Sequence, residues 1–235
     1  MSTIRNPIFC ALDTHSVPKA KKLVESLRGF VRGFKLGMEF FYNNGPAGYA
    51  KIAELGVPIF LDLKLHDIPN TVSAAMETIL PLRPYFVTLH ASGGSEMMKA
   101  AVATLDLTDP ADRPKLLGVT VLTSLDSQNL NSVGQGVDLQ IQSVRLAKLA
   151  KESGLDGVVC SAAEVKAIRD ACGPDFVLVV PGIRPGWIAA EDDQKRTMIP
   201  RDAMRAGANF LVIGRPITES ADPAETAKRI ATDVV

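Results

Sequence analysis

Short apolar runs alternate with longer, more polar segments along almost the whole chain. The runs are rich in β-branched and aromatic residues, and they cover residues 8–13, 33–37, 58–64, 85–90, 115–123, 157–162, 176–182 and 210–216. Near-continuous apolar strands are typical of a parallel sheet that is covered on its outer face, whereas a half-exposed antiparallel sheet would alternate apolar and polar positions. The pattern therefore predicts eight parallel strands.

The segments between the runs show the spacing of amphipathic helices. One such series, followed by a glycine that would end the helix, is Ile141, Val144, Leu146 and Leu149. Eight strand–helix units fit a TIM barrel, whose usual size is about 250 residues, better than an open doubly wound sheet with a second domain. The sequence thus predicts an α/β fold in which residues 1–235 form a single (β/α)8 TIM barrel.

Composition and charge narrow the classes of partner. The chain is 46% hydrophobic, and its 26 lysines and arginines balance 26 aspartates and glutamates, so the formal net charge is zero. Without a basic field we expect no nucleic-acid partner. Because no apolar run approaches the roughly 20 residues that span a bilayer, and no signal peptide is evident, we expect a cytoplasmic protein without a membrane partner. The spacing of Cys10, Cys160 and Cys172 indicates buried free thiols rather than a zinc site or disulfides.

In a TIM barrel, functional side chains follow the carboxyl ends of the strands and meet at one mouth. The polar residues at these positions are Asp13, Lys35, Asp62, Lys64, His90, Thr123, Ser124, Ser161, Arg184 and Arg215. Asp62 and Lys64 are two residues apart, so on a strand their side chains point to the same face. Asp67 follows in the loop before Pro69, a residue favoured at a helix start.

The charges of this set alternate in sign. Two carboxylates in a water-poor pocket resist joint ionisation, because unit charges about 4 Å apart interact by roughly 4 kcal/mol at an effective dielectric near 20. Interleaving Lys35 and Lys64 with Asp13 and Asp62 would let every group stay charged without a metal ion. The alternative is a structural Asp62–Lys64 ion pair, with Asp67 capping the next helix.

Two glycine- and arginine-containing turns suggest a phosphate site. They are PGIRPG (181–186) and IGRPIT (213–218), and they follow the seventh and eighth predicted strands, where TIM barrels commonly bind phosphate. Glycine lets backbone N–H groups approach the phosphate oxygens, and arginine supplies a bidentate fork. The alternative is a pair of turns with solvated arginines. The long polar intervals 124–137 and 184–197 are candidate lids over the mouth.

The three histidines, His15, His66 and His90, are interpreted as structural. A metal site would take Asp62, His66 and Asp67 as ligands. A lysine ammonium between those carboxylates would compete with a divalent ion, so no metal is predicted.

Together the motifs resemble the bacterial orotidine 5'-monophosphate decarboxylase family. The most specific is FLDLKLHDIPNT (60–71), and the others, in the family's order, are ALD (11–13), FKLG (34–37), HASGG (90–94), TVLTS (120–124), GVVCSA (157–162), PGIRP (181–185) and IGRPIT (213–218). The resemblance implies a carboxy-lyase that converts orotidine 5'-monophosphate to UMP and CO₂, the last step of de novo pyrimidine nucleotide synthesis. It also implies that no metal or cofactor takes part.

The resemblance further implies roles for individual residues. Lys64 would protonate C6 of the pyrimidine, and Lys35, Asp62 and Asp67 would complete a charged array around it, with Asp62 near the departing carboxylate. Asp67 and the IPNT segment, including Thr71, would reach into the active site of a partner subunit, which implies a homodimer with shared sites. Substrate contacts would come from Asp13 and Lys35 for the ribose, Thr123 and Ser124 for the base, and Arg184, Gln194, Gly214 and Arg215 for the phosphate.

Two other functions compete with this interpretation. Related barrels that act on sugar phosphates, such as 3-keto-gulonate-6-phosphate decarboxylase and hexulose-phosphate synthase, share a D-x-K-x-x-D core but use Mg²⁺. In those proteins an acidic residue is expected where this chain has Lys35. A degenerate barrel that only binds a nucleotide or sugar phosphate is the other alternative, although no member of the charged array is missing.

Overall fold

The structure is a computed structural model that describes residues 6–135, 138–187 and 198–234. Its eight strands are β1 (Ile8–Ala11), β2 (Gly33–Gly37), β3 (Ile59–Leu65), β4 (Phe86–His90), β5 (Lys115–Val119), β6 (Gly157–Val159), β7 (Val177–Val180) and β8 (Phe210–Ile213). Each strand pairs in parallel with the next, and β8 pairs with β1, so the sheet closes in chain order. The predicted eight-stranded α/β barrel is confirmed.

Helices follow the strands along the chain. They are α1 (Val17–Leu27), α2 (Met38–Ala53), α3 (Pro69–Ile79), α4 (Ser95–Ala103), α5 (Ser127–Ser132), α6 (Leu139–Glu152), α7 (Val165–Cys172), α8 (Pro200–Ala206), α9 (Arg215–Thr218) and α10 (Pro223–Asp233). Helix α2 is kinked at Gly45, whose φ of +59° is followed by Pro46, a residue that cannot donate to the preceding turn. No helix in the described ranges is long and apolar enough to cross a membrane.

The inside of the barrel is filled by aromatic side chains. Five ring pairs form among Phe9, Phe60, Phe86 and Phe210. Their ring centroids are 5.3–6.0 Å apart, and most of the pairs are edge to face. Such pairs each contribute about 0.5–1.5 kcal/mol beyond the burial of their area. They form a rigid floor beneath the carboxyl-terminal mouth. Alternate strand residues point outward and pack against the helices. The free thiols of Cys10, Cys160 and Cys172 are buried, as expected.

Several strands are shorter than their apolar runs predicted. Strands β1, β5, β6, β7 and β8 end at Ala11, Val119, Val159, Val180 and Ile213. The runs continue because the first loop residues still pack into the barrel end, as buried Leu12, Val121 and Cys160 show. Consequently Asp13, Thr123, Ser124, Arg184 and Arg215 lie in the segments after the strands rather than at strand ends.

Helix α6 is present, and three of the four residues in the predicted series, Val144, Leu146 and Leu149, pack against the core. Ile141 is 57% exposed, whereas Gln142 and Ser143 are buried beside Leu146. The buried Gln142 amide donates to Gln135 Oε1 at 3.2 Å, which satisfies one of its polar groups.

Candidate active site

Four charged side chains meet at the carboxyl-terminal mouth of the barrel. Lys64 Nζ lies 2.9 Å from Asp62 Oδ1, and Lys35 Nζ lies 3.5 Å from Asp62 Oδ2. Lys35 Nζ is also 3.4 Å from Asp13 Oδ1. The order Asp13, Lys35, Asp62, Lys64 therefore alternates in sign, as the sequence predicted.

Lys64 reaches Asp62 by a route that the sequence did not indicate. Leu61 pairs with Val87 and Leu65 pairs with Leu89, so β3 bulges against β4 between those pairs. Within the bulge Lys64 has φ +53°, a left-handed conformation that costs a residue other than glycine about 1–3 kcal/mol. Both residues lie in β3 and their side chains meet as predicted, but the backbone between them departs from a regular strand.

Thr88 was missed by sequence reasoning. Its fully buried hydroxyl donates to Asp62 Oδ1 at 2.9 Å and accepts from the Lys64 backbone N–H at 3.0 Å. One available signal was a hydroxyl inside the otherwise apolar strand FVTLH, two residues before His90. Thr88 is therefore part of the polar network around Asp62.

In the array, the attraction between opposite charges affects the pKa values of Asp62 and Lys35 more than their burial does. Burial raises the pKa of Asp62, but the charges of Lys35 and Lys64, with hydrogen bonds from Lys64 and Thr88, bring that pKa below its usual value. Burial likewise lowers the pKa of Lys35, but Asp62 and Asp13 reverse the shift and the net pKa is raised. Asp62 and Lys35 are thus both charged at neutral pH.

A cavity of about 470 Å³ opens beside the array. Its size falls within the range of small-molecule sites. Lys35, Asp62 and Lys64 lie on one side, and Thr123 and Ser124 also line it. The rest of the lining is mainly apolar and comes from Met38, Phe60, Val119, Val121, Leu122, Val159, Cys160, Pro181 and Val212. A flat, partly apolar ring bearing polar groups would match these walls.

Asp67 and Thr71 are exposed and do not line this cavity. Asp67 Oδ1 accepts from the Ile68 backbone N–H at 2.7 Å. Helix α3 begins at Pro69 as predicted, with Ile68 as its N-cap and no side-chain cap bond. The alternative role of Asp67 as a helix cap is therefore wrong.

Three of the predicted phosphate residues, Arg184, Gly214 and Arg215, follow strands β7 and β8 and do not line the cavity. Gly214 follows β8, and a Cβ there would lie 3.3 Å from Asp13 Oδ2. Arg184 donates from Nη1 to the Ile183 carbonyl at 2.9 Å, and its backbone N–H donates to the Met198 carbonyl at 3.0 Å. Arg215 is exposed at the start of α9. Gln194 lies outside the described residues, as does most of the candidate lid 184–197, whereas the other lid interval contains α5.

His66 and His90 flank the array on its outer side. Their ring centroids are 5.3 Å apart, and burial, with the nearby His66 and Lys64, lowers the pKa of His90. His15 is largely exposed, with Nδ1 3.7 Å from Glu39 Oε1. Within the part of the chain that the structure covers, no three His, Cys, Asp or Glu side chains are grouped so that they could hold a metal ion.

A closed parallel barrel with a charged cavity at the carboxyl ends of its strands is the architecture of the TIM-barrel enzymes. Within that class, the chain belongs to the orotidine 5'-phosphate decarboxylase / HUMPS family, whose sequence model matches residues 6–230.

Individual relatives agree with this membership. The chain is 51% identical to a protein of Paramagnetospirillum magneticum, over 97% of this chain and 98% of the relative, and 46% identical to one of Rhodospirillum rubrum, over 98% and 95%. Both are named orotidine 5'-phosphate decarboxylase. The crystal structure of orotidine 5'-phosphate decarboxylase from Lactobacillus acidophilus superposes with a TM-score of 0.86 at 39% identity, covering 97% of this chain and 99% of that one.

Proposed function

We propose that this protein decarboxylates orotidine 5'-monophosphate to UMP and CO₂, the last step of de novo pyrimidine nucleotide synthesis. Relatives that share about half of its residues over nearly the full length carry that activity in their names. The observation that carries the proposal is the alternating array, in which Asp62 has one lysine ammonium on each carboxylate oxygen.

The reaction leaves an electron pair on C6 of the pyrimidine when the bond to the carboxylate breaks. No ring carbonyl delocalises that pair as an enolate, so stabilisation must come from charge placed beside C6. The Lys64 ammonium supplies that charge and then its proton to C6, which gives UMP, and the lysine regains a proton from solvent. CO₂ leaves as the neutral product.

Asp62 contributes through its own negative charge. Because its carboxylate is ionised and buried, it disfavours the substrate carboxylate next to it, and that repulsion ends when neutral CO₂ forms. Its two oxygens already face Lys64 and Lys35. A divalent ion would have to displace an ammonium to bind there, so the residues present favour a reaction without metal or cofactor.

The proposed substrate contacts are those that the family resemblance implies. The base would enter the cavity beside Thr123 and Ser124, and the ribose hydroxyls would bind Asp13 and Lys35. The phosphate would lie farther out, at Gly214, Arg184, Arg215 and Gln194. Binding energy from this remote group can be used to lower the barrier at C6.

We further propose a homodimer with shared active sites. Asp67 and Thr71 are exposed and lie outside the lining of their own cavity, and Ile68 between them is 66% exposed. Reaching into a partner's site would give Asp67 and Thr71 a substrate to contact.

We also propose a single catalytic domain and a cytoplasmic location. Residues 1–235 would form one catalytic domain, because the barrel strands and the helices after them occupy almost the whole chain. Three free buried thiols are typical of a reducing compartment, which supports a cytoplasmic location.

Lys35 separates this activity from that of the sugar-phosphate barrels. The family description covers both groups, so it does not choose between them. In this chain the Lys35 ammonium lies between Asp13 and Asp62, within 3.5 Å of each. A cation at this place opposes Mg²⁺ binding, since both would need the same carboxylates.

The first test follows the loss of ultraviolet absorbance of orotidine 5'-monophosphate on addition of the purified protein. We expect conversion to UMP at the same rate with and without EDTA, and none with Lys64→Ala. No turnover by the folded protein would point to the Mg²⁺-dependent sugar-phosphate chemistry, an activity that EDTA should abolish. Tight UMP binding without turnover would instead identify a binding module.

A further inference from the structure

We propose that Thr88 is a positioning residue for the decarboxylation, holding the backbone of Lys64 and the carboxylate of Asp62 in their reactive arrangement. This inference rests on the proposed function. The role of Thr88 follows from the contacts of its hydroxyl group.

The hydroxyl closes a ring of hydrogen bonds. The Lys64 N–H donates to Thr88 Oγ1 at 3.0 Å, and Thr88 Oγ1 donates to Asp62 Oδ1 at 2.9 Å. The same Oδ1 accepts from Lys64 Nζ at 2.9 Å, which returns the ring to its starting residue. Thr88 thus ties both ends of Lys64, backbone and ammonium, to one carboxylate oxygen.

A hydroxyl is required because the position must accept and donate at once. Because of the bulge, Lys64 is not part of the regular β3–β4 hydrogen-bond ladder. Its backbone N–H donates to the Thr88 hydroxyl oxygen instead of to a backbone carbonyl of β4. A valine of the same shape would leave that N–H without its acceptor and remove one donor from Asp62. Unmet buried polar groups cost about 1–3 kcal/mol each, so the bulge itself would lose its support.

Losing that support would move the reacting group. Lys64 has φ +53°, which is unfavourable for a lysine and persists only when its surroundings hold it. Without the Thr88 hydroxyl, the Lys64 backbone would relax toward a more favourable conformation and carry the ammonium away from its present place beside Asp62. A displacement of the ammonium by about 1 Å is enough to cost about 100-fold in rate.

Thr88 should act on the rate and not on substrate affinity. It is fully buried and is not among the residues that line the cavity, so it does not contact the substrate. Thr123, Ser124 and the apolar residues that line the cavity make no contact with the hydroxyl, so the substrate site should still form in its absence.

The test compares Thr88→Val, Thr88→Ser and the wild type in kcat and KM for orotidine 5'-monophosphate. We expect Thr88→Val to lower kcat by at least about tenfold with KM within about twofold, and Thr88→Ser, which keeps the hydroxyl, to retain kcat within about threefold. The matched control is Thr104→Val, which removes another buried hydroxyl. That hydroxyl lies away from the mouth and donates to the Ala101 carbonyl, with an oxygen–oxygen distance of 2.7 Å. It should leave kcat unchanged.

A wild-type kcat in Thr88→Val, or an equal loss in Thr88→Ser, would overturn the inference. If Thr88→Val does not fold, Thr88→Cys replaces it, since a thiol is a weaker donor and acceptor in a similar volume. Its kcat should then fall at least about tenfold below that of Thr88→Ser, and equal values would reject the role of the hydroxyl. Absence of turnover by the wild type would instead refute the proposed function.

Discussion

At the scale of single residues, Asp62 is where the charges of the mouth converge. It is 8% exposed, yet it receives Lys64, Lys35 and the Thr88 hydroxyl within 3.5 Å. An isolated buried carboxylate would take up a proton rather than stay ionised. The surrounding donors make the ionised form the stable one, which the proposed mechanism needs.

This arrangement predicts a pH dependence of stability. Because the folded pKa of Asp62 is below its unfolded value, its ionisation stabilises the fold above the unfolded pKa of about 4, and that contribution is lost as the pH falls through the folded pKa. The free energy of unfolding of the wild type relative to Asp62→Asn should therefore rise with pH in the acid range and level off above about pH 5. Urea unfolding at a series of pH values measures it, and a difference that is constant down to about pH 2 would contradict the assigned pKa.

Lys64 is the residue whose loss should be most costly to the reaction. We expect Lys64→Ala to fold normally and to lose at least about 10³-fold in kcat, which corresponds to about 4 kcal/mol of transition-state stabilisation. Lys166→Ala, which removes a surface lysine paired with Asp170, should keep full activity. Circular dichroism checks the fold and the absorbance assay checks the rate. Retention of a tenth of the wild-type rate would exclude Lys64 as the proton donor.

Arg215 should act only through the phosphate. We expect Arg215→Ala to lower kcat/KM for orotidine 5'-monophosphate by at least about tenfold, or about 1.4 kcal/mol. With orotidine, which lacks the phosphate, the variant and the wild type should be equal. Arg201→Ala, which removes an arginine paired with Asp233, is the control. An equal loss on both substrates would place Arg215 outside the phosphate site.

The sequence predicted the meeting of the charged residues well, because lysine and aspartate at the ends of apolar strands are costly to bury unless they pair with one another. It did not predict Thr88, since a single hydroxyl in a strand is compatible with many structural roles. It also did not predict the conformation of Lys64, because a bulge depends on how two strands pair and not on the composition of either.

At the scale of elements, close contact between strands depends on glycine at particular places. Gly157 in β6 lies against β7, where a Cβ would collide with the Val177 carbonyl oxygen and side chain. Backbone on the partner strand cannot move aside as a flexible side chain can. The three-residue strand β6 therefore has no room for a larger residue at this point.

We expect Gly157→Ala to lower the free energy of unfolding by about 2 kcal/mol or more, within the usual cost of overpacking. Gly29→Ala is the control, because a Cβ at Gly29 meets nothing within 4 Å and should leave stability unchanged or slightly higher. Urea denaturation of both variants checks this. Equal stabilities would mean that β6 and β7 can separate without cost.

The strand pattern predicted all eight strands but not where five of them end. An apolar run reports burial, and burial continues into the loops that follow the strands because these loops pack over the barrel end. Hydrogen bonding between strands stops earlier. For the site this difference is useful, since loop residues such as Asp13 and Thr123 can approach the mouth in geometries that a strand would not allow.

At the scale of the whole molecule, the fold and the mouth were predictable because one chain contains them. The (β/α)8 order brings the carboxyl ends of eight strands to one place, whatever the sequence distance between them. The proposed contribution of Asp67 differs in kind. Within one chain Asp67 is exposed and lies outside the cavity lining, so only an assembly would give its carboxylate a substrate to contact.

Mixing two inactive variants tests that assembly. If Asp67 acts across a two-fold interface, a heterodimer of Lys64→Ala and Asp67→Ala chains has one site with both residues intact and one site with neither. Random mixing makes about half of the dimers heterodimers, so co-refolded chains should recover about a quarter of the wild-type activity. Each variant refolded alone should stay inactive.

The matched control pairs Lys64→Ala with Asp62→Ala. Lys64 Nζ and Asp62 Oδ1 are 2.9 Å apart in one chain, so both residues of a site come from the same subunit. In a heterodimer of these two variants, one site lacks Lys64 and the other lacks Asp62. This mixture should therefore stay inactive. Heterodimer formation is verified with two affinity tags. Heterodimers that form without recovering activity would place Asp67 in the site of its own chain. Recovery only in the Asp67 mixture would establish that each site is completed by the neighbouring subunit.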